Sequence, residues 1–228
     1  MRPPAHAPEF SRVFAARTCM MAGVGLTGVF LWYLVRFWVY GKAVVLTSAP
    51  LTIPAGFLIA GMAVATLIGA ALASWAAGPI SERIEEKNIP VARVVAGACL
   101  LYAIGLGLAW GLGVWSTGTA RENGMLLFAL ISGFAFGIYD SLGLELVMDS
   151  LPDPRRAGHD LGIYALANSA GLALAAIIGA LLVNAFEHSF GYYLLFPSAI
   201  VMVLLAGIGH PHHQICRIIN RFEYTGQQ

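Results

Sequence analysis

The sequence predicts an all-α fold that crosses a membrane repeatedly, a polytopic bundle of six transmembrane helices. Of its 228 residues 58% are hydrophobic and 11% charged, with a mean hydropathy of +0.75, whereas a soluble domain is about half apolar and about a quarter charged. The 13 basic and 12 acidic residues are too few to coat a soluble core. Apolar runs of about 20 residues, the length a helix needs to cross about 30 Å of hydrocarbon, recur six times. Backbone polar groups inside hydrocarbon need internal partners, so these runs are helices; barrel strands are shorter and alternate in polarity.

The first run covers 18–40 and gathers Trp32, Tyr33, Trp38 and Tyr40 at its far end, as an interfacial aromatic belt does. It is longer than the h-region of a signal peptide and lacks a small-x-small cleavage site, so it reads as a span. The second, 53–76, carries Gly61, Ala65, Gly69, Ala73 and Ala77 at i+4 spacing. The third, 94–115, has Gly107 and Gly111 and ends on Trp115; the fourth, 125–148, has Gly133 and Gly137. The fifth, 161–185, repeats the small stripe with Ala167, Gly171, Ala175 and Gly179, and the sixth, 190–209, opens with Tyr192 and Tyr193. Helices in lipid associate through close packing at small residues, so the two long stripes predict tightly apposed helices.

Residues 1–17 and 210–228 are left as terminal segments around a transmembrane domain at 18–209. Arg2, Arg12, Arg17, Arg83, Lys87, Arg93, Arg155, Arg156, Arg217 and Arg221 fall on one side; Lys42 and Arg121 fall on the other, with Arg36 near them and able to snorkel. The bias puts both termini in the cytoplasm and the chain in a cell membrane.

Charged residues within a span are costly, about 2.5–3.5 kcal/mol at the centre on insertion scales, and so mark candidate sites. Asp140 shares an i, i+4, i+7 face with Gly133, Gly137 and Leu144, which turns it into the bundle. It either lines a substrate or proton pathway or makes an interhelical hydrogen bond. Glu145 follows nearer the inner surface, where an interfacial role is the simpler reading. Asn168 and Ser169 in the fifth span can bond a ligand or a neighbouring helix, the latter being the simpler.

Several chemistries are excluded or unsupported. No dense basic stripe offers a nucleic-acid footprint. Cys19, Cys99 and Cys216 are odd in number and widely spaced, so neither a disulfide framework nor a metal site is written. His210, His212 and His213, with Cys216 nearby, read as a solvated tail rather than a metal site. No span holds a histidine, and no nucleophile elbow, zinc motif or phosphate-binding glycine loop occurs, so the chain is expected to be no enzyme and to need no cofactor.

The segment after the second span reads Gly78-Pro79-Ile80-Ser81-Glu82-Arg83-Ile84-Glu85-Glu86-Lys87. It resembles the signature loop of major facilitator superfamily transporters at Gly78, Ser81, Arg83 and Lys87, with Glu82 in place of the usual aspartate. Glu85 and Glu86 depart from that pattern. The stretch from Asp149 to Asn168, with its Leu-Pro turn, Gly-x-Asp-x-Gly and Ala-Asn pair, is similar to the connection between the tenth and eleventh helices of sugar-type and related permeases.

The resemblance covers roughly residues 10 to 209 and corresponds to spans 7 to 12 of a twelve-helix transporter. It implies transport of a small solute between two six-helix halves, with this chain supplying one. The chain would then pair with itself or with a separately encoded first-half chain, or be an inactive truncated form; a non-transporting structural or regulatory membrane protein is the alternative. The resemblance also implies a cytoplasmic gating latch formed by Gly78, Glu82, Arg83 and Asp149, in which Arg83 meets Asp149 and Glu82 awaits a helix of the other half.

Overall fold

A computed structural model describes residues 7–40, 52–87, 89–115, 118–150, 157–185 and 188–209. Among these the chain is helical throughout: α1 (Ala7–Gly28), α2 (Leu31–Tyr33) running into a π-helical turn (Leu34–Val39), α3 (Thr52–Glu86), α4 (Val91–Trp115), α5 (Thr119–Ser150), α6 (Ala157–Ala185) and α7 (His188–Gly209). Among the described residues five helices are long and apolar enough to cross a membrane: α3 over Pro54–Ile84, α4, α5 over Thr119–Gly143, α6 over Gly162–Ala185 and α7 over Gly191–Gly209. They carry large apolar side chains outward, among them Phe57, Leu67, Trp75, Trp115, Leu181 and Ile208. A surface of that kind belongs in lipid rather than water, and the protein is a helical integral membrane protein.

The region expected as the first span, 18–40, is built from more than one helical piece. The helix starts at Ala7, ahead of the apolar run, because Arg12 and Arg17 are good helix formers and do not stop it. It closes after Gly28 at a turn, where Phe30 takes φ −96° and ψ 8°. The backbone ladder then resumes: Val29 N–H donates to Gly25 C=O at 2.8 Å and Leu34 N–H to Phe30 C=O at 2.8 Å. Tyr40 N–H reaches back five residues to Val35 C=O at 3.3 Å, the π-type bond of the following turn. No single apolar helix therefore spans this region, although α1, α2 and the π turn follow one another along the bundle.

The segment expected as a gating loop is likewise helix. α3 runs on through Gly78, Pro79, Ser81, Glu82 and Arg83 to Glu86, and the chain turns at Lys87, whose N–H still bonds Arg83 C=O at 3.1 Å. Pro79 removes one ladder hydrogen bond without ending the helix. At the other end of the bundle Gly118 adopts φ +62°, a left-handed conformation that glycine takes without a Cβ penalty, just before α5 begins.

Close contacts set the directions of the helices. An added Cβ on Gly61 would meet Leu126, one on Gly69 would meet Leu130 and Phe134, and one on Gly137 would meet Ala73, so α3 and α5 run parallel. Gly171 lies against Thr18 and Met21, Gly25 against Ala175, and Gly179 against Phe30, so α1 and α6 run parallel too. The small stripes of α3 and α6 thus lie on the surfaces that meet α5 and α1. Gly107 and Gly111 on α4 approach no other helix within 4 Å.

α1 packs on α6 and α7, α3 on α5, and α4 on α5 and α7, while α1 and α5 touch over a small area. Exchanging α1 with α5, α3 with α6 and α4 with α7 turns the α3–α5 pair into α6–α1 and the α4–α5 pair into α7–α1. The α4–α7 and α1–α5 contacts map onto themselves. The main helix pairings are therefore nearly unchanged by this exchange, in which α1 and α5 are equivalent. The α6–α7 contact has no counterpart of similar extent between α3 and α4.

Several hydroxyl groups bond back onto their own helix. Thr18, Thr27, Thr66, Ser74, Ser132 and Ser141 each donate to a carbonyl three or four residues back on their own helix, at 2.8–3.1 Å. This satisfies a polar group in hydrocarbon locally. Aromatic contacts add Tyr102 edge-on to Phe128 between α4 and α5, and Tyr33 stacked on Tyr192 at 6.3 Å between α2 and α7.

Candidate functional site

A polar link between helices lies where α1 faces α5 and α6. Val13, Ala16, Arg17 and Met20 are all buried, at spacings that put them on one face of α1. Arg17 is therefore drawn inward, with 7% of its surface exposed, rather than flanking a span. On α5, Phe136, Tyr139 and Asp140 follow at i, i+3 and i+4; on α6, Tyr164 and Asn168 are separated by one turn. These two faces form the walls around the guanidinium.

The Arg17 Nη1 lies 2.8 Å from Asp140 Oδ1, and Arg17 Nε donates to Asn168 Oδ1 at 2.8 Å. The guanidinium carbon also sits 5.8 Å from the centroid of the Phe136 ring, 5.5 Å from that of Tyr139 and 5.7 Å from that of Tyr164. Each such contact stabilises a desolvated cation by up to about 2 kcal/mol. Three rings, a carboxylate and an amide oxygen together offset the cost of burying the charge.

The two ends of the ion pair differ sharply. The Arg17 side chain is 8% exposed, the Asp140 side chain 55%. Asp140 does not turn wholly into the bundle, as its shared face with Gly133 and Gly137 suggests. Those glycines face α3, and one turn later the carboxylate emerges at the edge of α5, beside exposed Ser141.

Of the residues expected to serve a pathway, Asp140 and Asn168 are brought together on one cation, and the side chain of Glu145 lies outside the described residues. Gly78, Glu82 and Arg83 are exposed near the end of α3, while the Asp149 side chain lies outside the described residues, and with it the implied Arg83–Asp149 contact. His210, His212, His213 and Cys216 lie outside them as well. Among the described residues no three His, Cys, Asp or Glu side chains gather as a metal site would require.

Arg17 is the residue that the sequence reading assigned to the membrane edge. A basic residue at the border of an apolar run looks like a flank, but the run of Val13, Ala16, Met20 and Met21 carries the buried periodicity back past it and would have revealed it. Comparison with protein-family profiles, with curated proteins and with solved structures gives no match to this chain.

Proposed function

We propose that the chain is one six-helix half of a secondary transporter of the major facilitator type, moving a small solute along a path completed by a second half. α1, α2 and the π turn together supply the sixth crossing. The observation that carries this reading is that the main helix pairings are nearly unchanged when α1 and α5, α3 and α6, and α4 and α7 are exchanged, with an ion pair between buried Arg17 and exposed Asp140 at the contact of the equivalent helices α1 and α5. Nested three-helix repeats of opposite direction are the organisation of each half of such transporters, and their sites lie at repeat interfaces. The exposed Asp140 carboxylate supports the same reading, since an ionisable group accessible from outside the bundle suits a path shared with another half. The second half is a second copy of this chain or a separately encoded first-half chain. Both termini lie in the cytoplasm, and the bilayer is a cell membrane.

Reporter fusions at the two ends test the sixth crossing. Both reporters are expected in the same compartment, and a reporter inserted after Gly118 in the opposite compartment from one after Arg155. Termini in opposite compartments would leave five crossings and remove the proposed fold.

Transport itself is tested by reconstituting the purified chain, alone and with a candidate first-half chain, and measuring uptake of labelled sugars, amino acids and organic acids. The expected particle in mild detergent is at least a pair, heavier than the 24.2 kDa of one chain, and uptake is expected to disappear in Arg17→Ala. A monomer without uptake in either setting favours a structural or regulatory membrane protein.

A further inference from the structure

The Arg17–Asp140 pair joins a fixed cation to an accessible anion. Arg17 is held by Asn168 and by rings from two helices, and at 8% side-chain exposure it has little freedom to leave. Asp140 is 55% exposed and is bound to Arg17 through Oδ1. A buried guanidinium strongly resists losing its counter-ion, because water is not there to replace it. The carboxylate, in contrast, reaches the surface of the chain, where a partner or a ligand can meet it. Of the two groups, the carboxylate is the one that can be exchanged, and whatever replaces it must itself be an acceptor of guanidinium N–H bonds.

We propose that Arg17 is the recognition residue for a small oxyanion, a carboxylate or a phosphoryl or sulfonyl group, which takes the place of Asp140 as Asp140 binds a proton. An approaching anion meets the Asp140 charge first and is repelled by it. Protonation removes that charge, frees Arg17 Nη1 and leaves the buried cation for the incoming oxyanion. The proton passes from water to the Asp140 carboxylate, and the oxyanion enters from water or from a lipid headgroup. For a singly charged ligand the site has the same net charge before and after. Arg is suited to this ligand class because its planar fork matches carboxylate and phosphate oxygens.

The groups around Asp140 come from its own helix and from the helices beside it. From α1 the facing charge is Arg17, and from α6 the titratable neighbour is Tyr164. Tyr139 precedes Asp140 on α5 and is approached by Cys99 of α4. α3 passes Gly137 with Ala70 and Ala73, and its next charged residues, Glu82 and Arg83, are more than two turns farther along that helix. As a transport substrate the oxyanion rests on the proposed function; as a ligand it rests on this geometry alone.

The test uses the purified full chain in maltoside micelles, with formate and sulfate as probes because both stay fully ionised from pH 5 to pH 8. Calorimetric titration is expected to show binding that weakens about tenfold per pH unit, as linkage to one proton requires, with one proton taken up in weakly buffered solution. Asp140→Asn is expected to bind formate without proton uptake and without pH dependence, and to melt at a higher temperature with formate than with chloride at equal ionic strength. Arg17→Gln is expected to bind neither probe.

Binding without proton uptake by the unmodified chain would overturn the proposal, as would a folded Asp140→Asn chain indifferent to both probes. Should Asp140→Asn not accumulate, the proton count of the unmodified chain decides alone. Repeating the titration in phosphatidylglycerol vesicles separates the sources: a lipid headgroup as the occupant abolishes the response to added formate, and a soluble anion as the ligand preserves it. Binding in micelles with no uptake by any reconstituted pair would retain the oxyanion site and remove the transporter reading. Uptake without such binding would do the reverse.

Discussion

Gly133→Ala is expected to force α3 and α5 apart and to be among the most damaging single-methyl additions in the chain. The new Cβ would overlap the Thr66 carbonyl oxygen and lie 2.9 Å from the Thr66 Cα. These are backbone atoms of a helix, which have no rotamer through which to yield. Overpacking ordinarily costs about 1–3 kcal/mol, and a backbone-on-backbone clash belongs at or above the upper end. Gly107→Ala is the matched control. It sits mid-helix with nothing within 4 Å of its Cβ position, so replacing glycine is expected to stabilise by about 0.5–1 kcal/mol. Reversible unfolding in mixed micelles should show the two substitutions moving stability in opposite directions. Equal, small effects would mean that α3 and α5 are not in close contact.

The second large effect is expected at the ion pair, and it is asymmetric. Asp140→Asn leaves a buried guanidinium without its counter-ion and is expected to cost about 3 kcal/mol, the lower end of the range for breaking a buried pair, because the lost partner was half exposed. Arg17→Met leaves a carboxylate that lies at the surface of the chain rather than inside it, and keeps apolar contact with the three rings, so its expected cost is about 1–2 kcal/mol. Combining the changes removes the orphaned cation, and the double variant is expected to be more stable than the sum of the single losses by about 2 kcal/mol. Simple additivity would show that the 2.8 Å contact carries no coupling.

The membrane class of the chain was legible before any contact was known. Runs such as those in α4 and α7 can cross hydrocarbon only as helices, and their apolar spans were expected within a few residues of where they lie. The small stripes of α3 and α6 were legible as packing surfaces for the same reason: a row of glycine and alanine at i+4 spacing is useful only against another backbone. Which helix each stripe meets was not legible, because any helix presents a backbone that can come close.

Other features depended on three dimensions. Gly78 and Pro79 look like a loop in isolation, yet the helix-forming residues on both sides carry α3 through them. Arg17 looks like a cytoplasmic flank because a sequence ranks an arginine by its cost in lipid and not by the partners that repay it. Asp140 could be recognised as costly in its span, but its exposure depended on the crossing of α5 with α1 and α6. Composition and periodicity thus determined that this protein is a bundle of membrane helices with close-packed glycine seams, since those properties follow from each segment's own solvation. Only the tertiary structure decided that a cation from α1, a carboxylate from α5 and an amide from α6 share one site, because residues separated by more than a hundred positions along the chain acquire a common environment only when their helices pack.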